Sequence, residues 1–226
     1  MKKAQTLAQK INVMRAAVMG ANDGIVSVAG IVIGVAGAST SNFAIFISGI
    51  SGMLAGTVSM AMGEYVSVST QKDSQKRAIA NQKQALKNSY DKEFSFVRQR
   101  YENQGIKPEL AQQATKEMMT DDALTTTVRE RYGFNAKEFT SPYAAAIASM
   151  ISFPTGSILP MLGITLFPNH IKILATFLAV IVALAITGYT AAVLGNSDRL
   201  HGIIRNIFAG ILTMTVTYTI GKLIGG

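Results

Sequence analysis

Residues 16–38 read AAVMGANDGIVSVAGIVIGVAGA, a run of 23 residues broken by a single charge, Asp23. About 20 residues of helix cross the hydrocarbon core of a bilayer, so this run predicts a membrane span. Four more runs share its character, at 43–68, 142–166, 171–194 and 202–224. Between the second and the third the character reverses, for 23 of the 34 charged side chains fall between Lys72 and Glu138. The sequence therefore predicts an all-α, polytopic membrane protein with five transmembrane helices and a small helical cytosolic domain inserted between helices 2 and 3. Three parts follow. Residues 1–69 hold the N-terminal segment and helices 1 and 2, 70–140 the inserted domain, and 141–226 helices 3 to 5.

The chain is 226 residues long, 49% apolar, 15% charged and free of cysteine. Soluble domains average about a quarter charged residues, which excludes a single soluble globule. The lack of cysteine excludes disulfide scaffolds and thiolate metal or redox sites. A net charge of +8 suits nucleic acid at first sight, but the basic residues sit where membrane topology wants them. Lys2, Lys3, Lys10 and Arg15 precede the first span, thirteen basic residues lie in 69–141, and Arg199 and Arg205 lie at the fourth-to-fifth connection, Arg205 just inside the fifth span. The turns at 39–42 and 167–171 hold no Lys, Arg, Asp or Glu. Alternation then puts the N-terminus and the inserted domain in the cytoplasm and the C-terminus outside, with no nucleic-acid partner. The first span is too long for a signal peptide and is followed at once by another, so it is read as retained. The short termini fit a bacterial plasma (inner) membrane.

Two carboxylates interrupt the spans, Asp23 and Glu64. A charge at the bilayer centre costs at least ~2.5–3.5 kcal/mol, which makes such residues candidates for function. At about 1.5 Å per residue, Asp23 lies roughly 12 Å past Arg15, level with Met60, and Glu64 lies about 6 Å from the cytoplasmic border. Met53, Thr57, Met60 and Glu64 recur at helical steps and share a face. Carboxylates with a thioether suit Fe²⁺ better than Mg²⁺ or Ca²⁺, leaving Mn²⁺, Co²⁺ and Zn²⁺ open. Asn22 and Ser59 add neutral oxygens nearby. Membrane methionines most often fill packing gaps and Glu64 is shallow, so Asp23 carries most of the argument.

The inserted segment also predicts helices. No breaker occurs from Lys72 to Ser89, and Phe94, Val97 and Tyr101 form a one-sided stripe. Pro108 suits a first helical position, and Leu110, Ala114 and Met118 repeat at four. Thr120 or Asp121 is placed to cap a last helix running to about Tyr132.

Two stretches, Asn22-Asp23-Gly24-Ile25-Val26-Ser27 and Ser59-Met60-Ala61-Met62-Gly63-Glu64-Tyr65-Val66-Ser67, resemble the vacuolar iron transporter family. Met119–Leu124 and Phe153-Pro154-Thr155-Gly156 with Leu159-Pro160 follow in the family's order. The resemblance implies a five-span protomer that forms a homodimer, with a path at the two-fold axis that exchanges cytosolic Fe²⁺ for protons. It implies that Asp23, Met60 and Glu64 line that path; Asn22, Met53 and Ser59 are secondary candidates from their positions alone. It also implies a cytosolic metal-binding domain, here thinned. Ala80-Asn81-Gln82-Lys83 and Phe94-Ser95-Phe96-Val97 stand where carboxylates are expected, leaving Glu93, Glu117, Met118, Met119 and Asp122.

No permanently bound cofactor is expected, the metal ion being cargo. An enzyme is disfavoured, since the two histidines, His170 and His201, belong to no nucleophile–base or di-iron pattern. A non-transporting membrane sensor or scaffold is the alternative, its basic helix (Lys72, Lys76, Arg77, Lys83, Lys87) lying along anionic lipid.

Overall fold

The computed structural model describes residues 6–225; Lys2 and Lys3, used in the orientation reading, lie outside that range. Seven helices account for almost all of the described chain, with no strand among them. They are α1 (Leu7–Ala38), α2 (Asn42–Asn88), α3 (Tyr90–Asn103), α4 (Pro108–Tyr132), α5 (Pro142–Leu166), α6 (Lys172–Leu194) and α7 (Arg199–Gly225). Five of them, α1, α2, α5, α6 and α7, are long and apolar enough to cross a membrane. The chain divides into two compact units, one built on Leu7–Val66 with Pro142–Gly226, the other on Ser67–Ser141. Helix α2 belongs to both, because nothing between Lys72 and Lys87 stops it.

In the apolar unit α1 is central, packing along α5, α6 and α7. Its Ile25, Val28, Ala29, Val32 and Ile33 meet Phe153, Met161 and Ile164 of α5, Val180 and Leu184 of α6, and Met214 of α7. Small residues let the backbones approach, as membrane helices require in the absence of a hydrophobic drive between them. A Cβ on Gly24 would run into the Phe153 carbonyl, and one on Gly156 into the Ala21 carbonyl. Gly30 and Gly34 lie less tightly against α7, where a Cβ would sit 3.1 Å from the Thr213 methyl and 3.2 Å from the Thr217 carbonyl oxygen. Ser149 and Ser157 of α5 donate their hydroxyls to the carbonyls of Ala16 and Gly24, both at 3.2 Å. Pro154 and Pro160 lie inside α5, each removing one donor from its ladder.

The backbone of α2 stands off from this core and is met by side chains instead, Met161 and Val32 at Gly49, Ile31 at Gly52 and Phe153 at Gly56. A polar tie holds α2 near each end of its apolar part. At one, the buried Lys172 ammonium donates to Asn42 Oδ1 (2.8 Å) and Asn169 Oδ1 (3.2 Å). At the other, Arg15 pairs with Glu64.

In the 67–141 unit, Val97, Tyr101, Ala111 and Met119 form the core, flanked by Leu86, Phe94, Ala114 and Met118. Pro108 opens α4 as its spacing suggests, and the fully buried stripe of α4 runs one position on from the Leu110, Ala114, Met118 repeat. Ala111, Thr115 and Met119 face inward, whereas Leu110 is exposed. The last helical stretch is capped by Asp122, not by Thr120 or Asp121. Asp122 leaves the helical region (φ −152°, ψ 86°), and its Oδ1 accepts the Thr125 N–H at 2.9 Å. Gly133 then ends α4 at φ 74°, a left-handed conformation that glycine adopts without strain.

Candidate functional site

Helix α1 carries Arg15, Met19, Asp23, Ser27 and Ile31 at steps of four. Helix α2 answers with Gly52, Gly56, Met60 and Glu64, and beside them Ala55, Ser59 and Gly63. Because small residues keep α2 clear of side-chain bulk on this face, a cavity of about 440 Å³ opens between the two helices, with Phe153 as part of its wall. Asp23, Met60 and Glu64 all line it, as do Ser59, Ser27 and Met19. Asn22 and Met53 do not. Asn22 has a buried Oδ1 without a hydrogen-bond partner among the described residues, and Met53 packs against the apolar core.

Within the cavity the Ser27 hydroxyl donates to Asp23 Oδ1 at 2.7 Å. That is one neutral donor from the same helix, which leaves the carboxylate with acceptor capacity facing the cavity. Glu64 is only 6% exposed and accepts from Arg15 Nη2 at 2.9 Å. Arg15 Nη1 lies 3.1 Å from Met19 Sδ. Two carboxylates, two thioethers and two hydroxyls thus border one space, a donor set that suits a borderline divalent ion. Sequence reasoning singled out Asp23, Met60, Glu64 and Ser59. It missed Arg15, Met19 and Ser27, although their four-residue spacing with Asp23 was visible.

In the 67–141 unit the five candidate ligands are engaged in separate ways. Glu93 is buried, accepting from Gln82 Nε2 (2.6 Å) and Arg131 Nη2 (2.7 Å), while the same guanidinium lies 4.0 Å from the centre of the Phe96 ring. Met118 Sδ accepts from the Tyr101 hydroxyl at 3.2 Å, and Met119 is buried in the core. Glu117 is exposed and borders an open surface hollow with Asp121 and Lys116. Asp122 pairs with Lys137 at 2.6 Å. That ammonium, with the N–H and hydroxyl of Thr125, holds the Asp122 carboxyl well below the usual range, at about 2. Burial beside Glu130 pushes the Tyr101 phenol up. Among the described residues no three His, Asp or Glu side chains cluster closely enough to hold a metal ion.

Comparison with known proteins places this geometry in context. A "Vacuolar iron transporter" of Acanthamoeba castellanii is 32% identical over 93% of this chain and 78% of its own length. "Vacuolar iron transporter homolog 1" of Arabidopsis thaliana is 32% identical over 99% of this chain and 88% of its own. "Vacuolar iron transporter homolog 5" of Oryza sativa subsp. japonica is 33% identical over 96% and 83%. The model of the VIT family matches residues 14–222, which takes in all five apolar helices and the cavity between α1 and α2. The chain is a membrane protein that belongs to the VIT family.

Proposed function

We propose that this protein transports a divalent metal ion, Fe²⁺ first, out of the cytosol in exchange for protons, along a path that includes Asp23, Met60 and Glu64. The observation that carries the reading is that these three side chains, from two helices, border one cavity between α1 and α2. The relatives' names supply iron as the leading ion; Mn²⁺, Co²⁺ and Zn²⁺ fit the same donors. Metal received at Glu64 moves to Asp23 and Met60, where a carboxylate holds either a proton or the metal. Protons from the outer side then release the ion, and release requires that binding stay weak enough to leave.

A homodimer completes the path. The cavity is open along Ala55, Ser59 and Gly63, and a polar opening costs too much against lipid tails. A second copy supplies the cover and brings a second Asp23 and Met60 to the same axis. The basic residues orient the N-terminus and the 67–141 unit toward the cytoplasm of a bacterial inner membrane. Glu93, Glu117, Met118, Met119 and Asp122 contribute at most a weak secondary metal site there, because Arg131 and Lys137 already neutralise two of the three acids.

The test is Fe²⁺ flux into sealed liposomes with and without a pH gradient, in competition with Mn²⁺, Co²⁺ and Zn²⁺. Asp23→Ala is expected to lose proton-coupled flux while remaining a folded dimer. Normal transport by that variant removes Asp23 from the path. Wild-type protein that carries no metal at all favours a sensor or scaffold instead.

A further inference from the structure

Glu64 is a buried carboxylate with a tenant. Its side chain is 7% exposed, and the Arg15 guanidinium sits on it at 2.9 Å while remaining 44% exposed itself. Arg15 reaches Glu64 from outside the metal cavity. It lines a neighbouring apolar cavity of about 240 Å³, with Met19 shared between the two. With nearly half of its side chain exposed, the arginine can leave Glu64 without unpacking a helix, whereas Glu64 is buried.

Charge decides what this arrangement does. With Arg15 docked, the three ionisable groups at this end sum to one negative charge, and the two carboxylates alone sum to two. A buried carboxylate stripped of its cation is strongly penalised, so an incoming ion must replace the guanidinium as it arrives. A monovalent ion exchanges one positive charge for another and gains nothing. A divalent ion gains a charge, in a cavity that Asp23 also lines.

We infer that Arg15 is a specificity-determining counter-ion. It holds Glu64 between transport events, makes entry an exchange that only a multivalent cation wins, and returns to Glu64 once the metal has moved on. The inference rests on the proposed metal path through Glu64 and adds the means by which that path rejects K⁺ and Na⁺ and keeps its affinity low enough for release.

The experiment uses full-length protein in detergent, titrated with Mn²⁺ while the free ion is counted by electron paramagnetic resonance, with and without excess K⁺. Wild type is expected to bind Mn²⁺ with an affinity that K⁺ barely alters. Arg15→Gln is expected to bind about tenfold tighter, the equivalent of one charged hydrogen bond no longer displaced, and to become K⁺-sensitive. In liposomes the same variant should reach half-maximal flux at lower metal concentration but with a lower maximum. Arg15→Lys, which restores a cation, should return K⁺ resistance and bind between the two. If Arg15→Gln does not fold, Arg15→Lys alone must still bind tighter than wild type. Affinity in Arg15→Gln that is equal to or weaker than wild type overturns the inference. Where Glu64→Gln abolishes binding and Arg15→Gln changes nothing, only the role of Arg15 falls. Where wild type neither binds nor carries metal, the transport reading falls and takes this one with it.

Discussion

The α1–α5 crossing offers a quantitative test of how the cavity is held open. Gly156 faces the Ala21 carbonyl so closely that a Cβ cannot be added without moving backbone. No flexible side chain is available to yield, so Gly156→Ala must separate the two helices. Overpacking of this kind costs about 1–3 kcal/mol. Separation also stretches the bonds from Ser149 to Ala16 and from Ser157 to Gly24, each worth about 0.6 kcal/mol in a membrane protein. The expected loss is about 3 kcal/mol. For a chain of this size it lowers the thermal midpoint by about 6–12 °C. Flux should fall as well, because Phe153 of α5 walls the cavity that Asp23, next to Gly24 in α1, also lines. Thermal unfolding in detergent followed by tyrosine fluorescence measures the midpoint. A Gly156→Ala protein as stable as wild type refutes the close-packing argument.

Two further predictions concern the 67–141 unit. Asp122 has a folded pKa of about 2 against about 3.9 in unfolded chains. As pH falls the unfolded state binds its proton first, so the stability contributed by the Lys137 and Thr125 contacts is complete above pH ~4 and disappears toward pH 2. Asp122→Asn should therefore unfold more easily than wild type at pH 6 and indistinguishably near pH 2, as seen by circular dichroism across that range. Glu93→Ala leaves the Arg131 guanidinium and the buried Gln82 amide without their shared acceptor. A cost of about 3 kcal/mol is expected, read as faster amide exchange in α3 and the end of α4, and undamaged exchange protection would argue against it.

Much of this architecture could be read from hydropathy, because five apolar runs and one charged insert leave few alternatives. The candidate site was legible for a different reason. Asp23 stands out through the cost of a charge in hydrocarbon, and Met60 and Glu64 through their shared face on the next span. Arg15 was not legible as a site residue. Its partner lies 49 positions away, and a basic residue at the start of a span already has a sufficient explanation in topology. The Ala111 stripe of α4 was not legible for a related reason. Leu110 is the larger apolar residue, yet Ala111 packs with Tyr101 and Val97, and Thr115 one turn on is fully buried.

The faces of α2 show where sequence patterning stops being informative. Leu54, Val58, Met62 and Val66 are exposed, and Gly52, Gly56, Met60 and Glu64 face the cavity, two stripes on opposite sides of one helix. In water such a helix would bury the first stripe and expose the second. In a bilayer the solvent is itself apolar, so the rule inverts, and the polar and small residues turn inward. Apolar periodicity therefore cannot say which side of a span meets protein. The cost of an unpaired polar group can, and in this chain that cost falls on the face α2 shares with α1, where Arg15 and Ser27 already pair with the two acids.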